Sequence, residues 1–151
     1  MTLIQQWAKY WLAGVAQEVR DLGLDPALLE PRTAAMVTRG ERILRRGGPK
    51  PSAWRDRALT WFDNVDVLVQ PVTALRPGLA GALNGAGYLR SYAASARSIA
   101  FTQAWNLAGF PALTAVVGSC DGVPLAVQLV GRPDSESLLL AAAESLAMYT
   151  P

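Results

Sequence analysis

The stretch FTQAWNLAGFPALTAVVGSCDGVPLAVQLVGRPDSESLLL, residues 101–140, encodes a complete structural unit. A helical segment ends at Gly109, the residue type that most readily takes the left-handed conformation at a helix C-terminus. Two apolar runs follow, Ala112–Gly118 and Pro124–Val130, and the Asp-Gly pair between them favours a tight reversal. The stretch therefore predicts a helix, two antiparallel strands joined by a short turn, and a further helix.

The last helix is expected to begin at a cap formed by Asp134. The residues expected on its inner side are Leu138, Leu139, Ala142 and Leu146. Gln128 lies in the middle of the second strand, and a buried amide needs hydrogen-bond partners. We therefore expect Gln128 to bond to a neighbouring loop.

Upstream of this unit, apolar spacing predicts further helices. Their expected ranges are residues 3–22, about 32–46, a segment that starts at Ser52 as N-cap, and 88–107. In the third of these, Trp54, Ala58, Trp61 and Phe62 are expected to be buried. The β-branched run Val65–Pro71 predicts a third strand, and the apolar character of all three strands predicts burial on both faces. Residues 71–87, rich in Gly, Ala and Pro, are expected to form a long loop.

Composition predicts one globular domain, residues 1–151. The chain is 51% hydrophobic and 17% charged, which is typical of a globular protein rather than a disordered one. No apolar run reaches the roughly 18 residues of a membrane span, and the N-terminus lacks the pattern of a signal peptide. The single Cys120 excludes an internal disulfide framework. These features together predict a cytoplasmic protein without membrane contact.

Charge gives little support for a nucleic-acid partner. The net charge is +2. Four cations cluster at Arg39, Arg42, Arg45 and Arg46. Such a cluster is typical of a solvated helix end, where cations are favoured by the helix dipole. No aromatic residues are interleaved with these arginines to stack on bases. We therefore expect no nucleic-acid partner.

Several kinds of chemistry are excluded by missing residues. The chain has no histidine and one cysteine, so histidine triads, histidine metal sites and cysteine zinc clusters are excluded. No glycine-rich phosphate-binding motif is present. The sequence therefore predicts neither a metal nor a cofactor.

Four segments together resemble the C-terminal portion of the amidase signature family of amide hydrolases. They are LDPALLEPRTAAMVTRGERI (24–43), WFDNVDVLVQPVTA (61–74), FTQAWNLAGFPALTAVVG (101–118) and DGVPLAVQLVGRP (121–133). The third is similar to the family's F-T-x-x-x-N-x-x-G-x-P-A segment, and the fourth to its D-G-x-P-x-G-V-Q-L-V-G hairpin. The resemblance implies an α/β fold with a mixed sheet flanked by helices, of which this portion holds about three strands and four to five helices.

The same resemblance implies hydrolysis of a carboxylic amide to an acid and ammonia or an amine, without a cofactor. Enzymes of this family use a Ser–Ser–Lys triad whose serines lie in Gly/Ser-rich runs, upstream of the region resembled here. This sequence has no such run, and Ser91, Ser95 and Ser98 belong to the helical stretch YLRSYAASARSIA. The only lysines, Lys9 and Lys50, are expected to be solvated and protonated. A basic lysine needs burial or nearby cations. The chain is therefore expected to be inactive alone.

By the same resemblance, the end of the third helical segment and the loop after the first strand line the amide pocket. The candidate substrate-binding residues are Thr73, Trp105, Asn106, Gly109 and Pro111. A purely structural role is the alternative, in which Asn106 bonds the turn and Trp105 belongs to the core.

Three hypotheses for the whole chain stay open. It is the C-terminal portion of an amidase from a truncated or split gene, and it binds a small amide only when an N-terminal half completes it. Alternatively, it is a binding or assembly module that complements a separately encoded N-terminal half. In the third hypothesis it is a non-functional truncated product. Unprotected sheet edges would also favour self-association.

Overall fold

A computed structural model of the chain describes residues 2–147. This part divides into two compact units. The first consists of the described residues up to Ser52 together with Arg76–Ser98, and the second of Ala53–Leu75 together with the described residues from Ile99 onward. Whether the chain behaves as a single domain stays a prediction.

The described residues form six α-helices and three strands, which confirms the α/β class and the number of strands. In chain order they are α1 (Leu3–Asp21), α2 (Pro31–Arg45), α3 (Trp54–Trp61), β1 (Val67–Pro71), α4 (Tyr88–Ser98), α5 (Gln103–Ala108), β2 (Ala112–Cys120), β3 (Val123–Gly131) and α6 (Glu136–Ala147). A short 3-10 helix, Pro26–Leu28, precedes α2 and is capped by the side chain of Asp25.

The first unit is built on the packing of α1 against α2. Helix α1 begins with a capping box, in which Thr2 and Gln5 satisfy each other's backbone N–H groups. Its buried residues are Leu12, Ala13, Ala16 and Val19. Gly40 of α2 lies so close to α1 that a Cβ atom there would overlap the Leu12 carbonyl oxygen. The absence of a side chain at Gly40 therefore sets the distance between the two helices.

The second unit contains an antiparallel sheet with the strand order β1-β3-β2. The predicted antiparallel pairing of the two later strands is confirmed, and both strands extend further than expected, to Cys120 and Val123. Asp121 and Gly122 join them with φ angles of 53° and 75°. Two consecutive positive φ angles are characteristic of the type I′ turn that matches the twist of a hairpin.

Burial on both faces holds only at the end of the central strand. Leu129 and Val130 of β3 are 1% and 0% exposed, respectively. By contrast, Val69 of β1 and Val116 of β2 are 55% and 59% exposed. The prediction was wrong for the two outer strands. Their apolar composition reflects β-propensity, and each has a β-strand neighbour on one side only within the described residues.

The single helix predicted over residues 88–107 is two helices, α4 and α5, separated at residues 99–102. The Thr102 hydroxyl and the Thr102 N–H both donate to the Ile99 carbonyl, each at 3.1 Å. A threonine side chain that bonds to nearby backbone offers an alternative to the helical ladder. This local competition accounts for the break.

Two predicted caps were wrong. Ala53, not Ser52, is at the N-cap of α3 and makes no side-chain cap bond. Ser135, not Asp134, precedes α6, and its carbonyl accepts the first helical bond, from Leu139 N–H at 3.1 Å. The Ser135 hydroxyl donates to the Arg132 carbonyl at 2.6 Å, while Asp134 has φ 67° in the connecting turn. The side chain that follows the turn therefore occupies the position expected for Asp134.

Two of the predicted core residues are exposed. Trp61 is 56% exposed, because it packs edge-on against Trp54 and leaves one ring face in solvent. Leu138 is 43% exposed, whereas Leu139 is 2% exposed. Neighbouring residues of an α-helix point about 100° apart, so Leu139 alone takes the inward position.

No helix within residues 2–147 combines the length and apolar character that a membrane crossing requires. In the same part of the chain, no cluster of three or more His, Cys, Asp or Glu side chains is arranged to hold a metal ion.

Candidate substrate-binding site

The turn between α5 and β2 brings four of the five candidate residues together. Gly109 ends α5 in the left-handed conformation, with φ 66° and ψ 40°. Its N–H and the N–H of Phe110 both donate to the Trp105 carbonyl, the latter at 3.2 Å. Because glycine alone adopts this conformation without a steric penalty, Gly109 fixes the direction in which Pro111 enters the strand.

Trp105 belongs to the aromatic core of the second unit, and its side chain is 3% exposed. Its ring lies 5.8 to 6.2 Å from four other aromatic rings, those of Trp54, Trp61, Phe62 and Phe110. The Trp54 indole N–H donates to the Ala104 carbonyl at 2.8 Å and ties α3 to α5. This packing anchors the end of α5, so Trp105 positions the turn rather than offering a free surface to a ligand.

Asn106 and Pro111 are the members of this turn with accessible side chains. Asn106 is exposed, and its backbone N–H donates to the Thr102 carbonyl at 3.1 Å. Pro111 lines a groove of about 360 Å³, here called the edge groove, between β2 and α6. Its lining residues are Pro111, Ala112, Leu113, Glu136, Leu139 and Leu140. The turn thus presents one carboxamide and the start of an apolar groove.

Thr73 lies on a separate loop. It follows β1 by two residues and its side chain is exposed. The four residues of the α5–β2 turn are therefore one group in the structure, and Thr73 is a candidate from a second loop of the same unit.

Arg55 is a residue of this turn that sequence reasoning missed. Its guanidinium, carried by α3, donates to the Ala108 carbonyl at 2.5 Å and to the Gly109 carbonyl at 3.4 Å. It also lies 5.6 Å from the centroid of the Phe110 ring. A cation at the C-terminus of a helix satisfies carbonyls that have no helical partner. No local signal could have identified Arg55, because the bond joins residues more than fifty positions apart.

Gln128 is 7% exposed and bonds to β1 rather than directly to a loop. Its side-chain oxygen accepts from the Gln70 amide at 2.8 Å, and the same Gln70 amide donates to the Phe101 carbonyl at 3.0 Å. The pair therefore connects the sheet to the segment that precedes α5. The expected link to a neighbouring loop exists, with Gln70 as its intermediate.

The first unit has a groove of its own, about 380 Å³ in volume. It is lined by Glu30, Pro31, Arg32, Ala35, Gly85, Ala86, Gly87 and Tyr88. The Arg32 guanidinium donates to the Glu30 carboxylate at 2.9 Å and to the Ser91 hydroxyl at 3.3 Å. The bond from Arg32 holds the pKa of Glu30 below its usual value. These bonds tie α2 to α4, which is a structural role.

Burial raises the pKa of two tyrosines in the first unit, Tyr88 and Tyr92. For Tyr88 the nearby charge of Arg39 opposes this rise, since its guanidinium lies 4.0 Å from the ring centroid. The two phenol rings stack on each other and on Trp11. Their hydroxyls are therefore held in the neutral form at physiological pH.

A helix–turn–strand hairpin with this motif order defines the class of protein to which the chain is similar. The sequence model of the family described as Amidase matches residues 29–140. AmiA2 of Mycobacterium tuberculosis, an amidase-family protein, is 33% identical over 139 residues, which is 89% of this chain and 28% of that protein. AmiB2 of the same organism is 35% identical over 138 residues, 87% of this chain and 29% of that protein. The chain belongs to the amidase family, and it spans less than a third of the length of these relatives.

More distant similarity extends to two other kinds of protein. In Legionella pneumophila, the A-type chain of glutamyl-tRNA(Gln) amidotransferase is 35% identical over 97 residues, 64% of this chain and 19% of that protein. The structure of 6-aminohexanoate cyclic dimer hydrolase superposes with a TM-score of 0.73 at 22% identity, over 100% of this chain and 35% of that chain. This superposition establishes the shared fold.

Proposed function

We propose that this chain is the C-terminal part of an amide hydrolase and supplies one wall of its amide-binding pocket. The catalytic serines and lysine would come from residues outside these 151. The observation that carries the proposal is amidase-family membership in a sequence without histidine and without a Gly/Ser-rich nucleophile run. The reaction of the completed enzyme would be hydrolysis of a carboxylic amide to an acid and ammonia or an amine.

The α5–β2 turn supplies groups that suit an amide ligand. An amide presents both a donor and an acceptor, and the exposed Asn106 carboxamide offers the complementary pair. Pro111 begins the apolar edge groove, which would contact the acyl or amine substituent. The Thr73 hydroxyl, from the loop after β1, would add a further donor and acceptor. Trp105 and Gly109 would act by holding the turn.

The lysines do not supply a base within this chain in our proposal. Lys9 and Lys50 both have exposed side chains. A lysine that acts as a general base at neutral pH needs burial or neighbouring cations, and the exposed position does not provide burial. A triad without its nucleophile and base retains little rate enhancement.

Hydrolysis by the chain alone tests this part of the proposal. We expect the purified chain to release ammonia or amine from simple aliphatic and aryl amides no faster than buffer does. The control variants Lys9→Ala and Lys50→Ala should behave like the wild type. Turnover that persists through purification, and that disappears in either lysine variant, would show that the chain carries its own catalytic base.

A second candidate is an assembly module that complements a separately encoded N-terminal amidase half. It shares the expected inactivity of the chain alone and differs in that the other half is a separate polypeptide. The observation in its favour is that β1 and β2 each pair on one side only within the described residues. Amide turnover that appears only when both polypeptides are mixed would support it.

A further inference from the structure

The hydrogen-bonding groups of β2 that point away from the sheet can be located from one bond. The Gly131 N–H donates to the Pro111 carbonyl at 3.2 Å, so these two residues form a hydrogen-bonded pair at the start of the β2–β3 ladder. Antiparallel ladders alternate between hydrogen-bonded and non-hydrogen-bonded pairs. The residues whose N–H and C=O groups point to the outer edge are therefore Ala112, Thr114 and Val116.

The same alternation shows that the other edge of the sheet is blunted. Residues of the central strand β3 bond alternately to their two neighbours, so the outward positions of β1 are Val67, Val69 and Pro71. Pro71 has no N–H to donate, and proline at an outward position is a common device against edge-to-edge pairing. Strand β1 is also only five residues long.

Strand β2 lacks such protection over its first half. It is nine residues long and contains neither proline nor a charged residue. All three outward positions are exposed, and Val116 is 59% exposed. A register shift between Val116 and Gly118 interrupts the regular ladder beyond that point. The available edge is therefore limited to residues 112–116.

We infer that the chain pairs with a second copy of itself along this edge, in an antiparallel arrangement with a two-fold axis at Thr114. Thr114 then lies opposite Thr114 of the second copy, and Ala112 opposite its Val116. Each of these pairs exchanges two N–H···O=C bonds, because all three residues direct both groups outward. Threonine opposite threonine is a favourable cross-strand pair.

The chemistry of the surrounding surface favours a second copy as the occupant. The sequence from residue 101 to residue 120 contains no charged side chain, so the strand brings no like charges together at the axis. The net charge of +2 opposes association only weakly. Ala115 of the second copy falls opposite Leu113, at the edge groove, where Leu140 is 56% exposed. The small alanine side chain meets this groove without a clash.

The pairing is also closed. Each copy uses its β2 edge once, and an isologous two-fold contact does not extend further. The outer edges of the resulting six-stranded sheet are the β1 strands with Pro71. The inference is independent of the proposed function, because a dimer of this kind requires no amide turnover.

Sedimentation velocity of the full chain at micromolar concentrations tests the inference. We expect the wild type to sediment as a dimer. Thr114→Pro removes one outward N–H from each copy and none from the β2–β3 ladder, so its dissociation constant should rise about tenfold or more. Val69→Pro is the matched control, because it removes an outward N–H from the other edge strand, and it should remain a dimer.

A second variant keeps the test decisive if Thr114→Pro does not fold by circular dichroism. Thr114→Lys keeps the backbone donor and places two lysines opposite each other at the axis, so it should also dissociate, and added salt should partly restore the dimer. A wild type that stays monomeric would overturn the inference, as would a folded Thr114→Lys variant that dimerises like the wild type. Dissociation of Val69→Pro while the Thr114 variants stay dimeric would overturn it in favour of β1.

Discussion

At the scale of single residues, the tip of the β2–β3 hairpin depends on backbone conformation. Asp121 and Gly122 both have positive φ, and at 75° Gly122 is in a region that residues with a Cβ atom rarely adopt. Asparagine tolerates this region better than most residues, whereas a β-branched residue is strongly disfavoured there. The stability of the hairpin should therefore follow the conformational freedom of residue 122.

We predict that Gly122→Val lowers the free energy of unfolding by roughly 1–2 kcal/mol, because the valine Cβ strains the left-handed conformation. Gly122→Asn is the control and should cost less. Urea denaturation of the three proteins measures the difference as a shift in midpoint at constant slope. A Gly122→Val protein with the wild-type midpoint would contradict the conformation described here.

Residue-scale features were predictable from sequence where they depend on the residue itself. The Asp-Gly turn and the Gly109 terminus were identified correctly, because glycine's freedom at positive φ is intrinsic to it. The caps expected at Ser52 and Asp134 were wrong, since which of several neighbouring polar residues caps a helix depends on where the chain enters it. Arg55 was missed for the opposite reason, because its partners are distant in sequence.

At the scale of elements, two glycines in the α1–α2 pair have opposite surroundings. A Cβ atom at Gly40 would overlap the Leu12 carbonyl oxygen and lie 2.7 Å from the Ala16 Cβ. A Cβ atom at Gly14, in the middle of α1, would meet no other atom within 4 Å. The first glycine permits close helix packing, and the second only adds backbone freedom to the unfolded chain.

We predict opposite signs for the two alanine substitutions. Gly40→Ala should destabilise the protein by about 1–3 kcal/mol, because it forces α1 and α2 apart. Gly14→Ala should stabilise it by roughly 0.5–1 kcal/mol, because alanine has the higher helix propensity. Thermal unfolding followed by circular dichroism at 222 nm would measure both. Equal effects of the two substitutions would contradict the close approach of α2 to α1.

The existence and pairing of the elements were largely predictable, while their interruptions were not. Apolar periodicity identified α1, α2 and the three strands, because it reflects which face is buried. The break between α4 and α5 depends on two bonds from Thr102 to one carbonyl, which periodicity does not register. Exposure of Val69 and Val116 depends on which strand takes the centre of the sheet, and the sequence contains no direct record of that order.

At the scale of the whole molecule, the fold and the chemistry come apart. The ordered motifs identified the amidase family correctly, because they occur at characteristic spacing over much of the chain. The substrate-binding role of Thr73, Asn106 and Pro111 stays a prediction. The chain spans 28% of AmiA2, so most of any complete pocket would be formed by residues that this chain does not contain.

The central claim is that this chain supplies a pocket wall and not the catalytic groups. The most direct measurement is amide turnover by a chimera in which the chain replaces the matched segment of AmiA2, beside the parent protein and beside the isolated chain. The substrate should be an amide that the parent hydrolyses. Asn106→Ala in the chimera tests the wall, and Asn84→Ala, an exposed asparagine of the first unit, is its control.

We predict turnover by the chimera, none by the isolated chain, and a rise in KM of about tenfold for Asn106→Ala with no change for Asn84→Ala. The rise corresponds to the loss of one or two hydrogen bonds to the amide. A chimera that unfolds cooperatively but does not hydrolyse the amide, beside an active parent, would contradict the account.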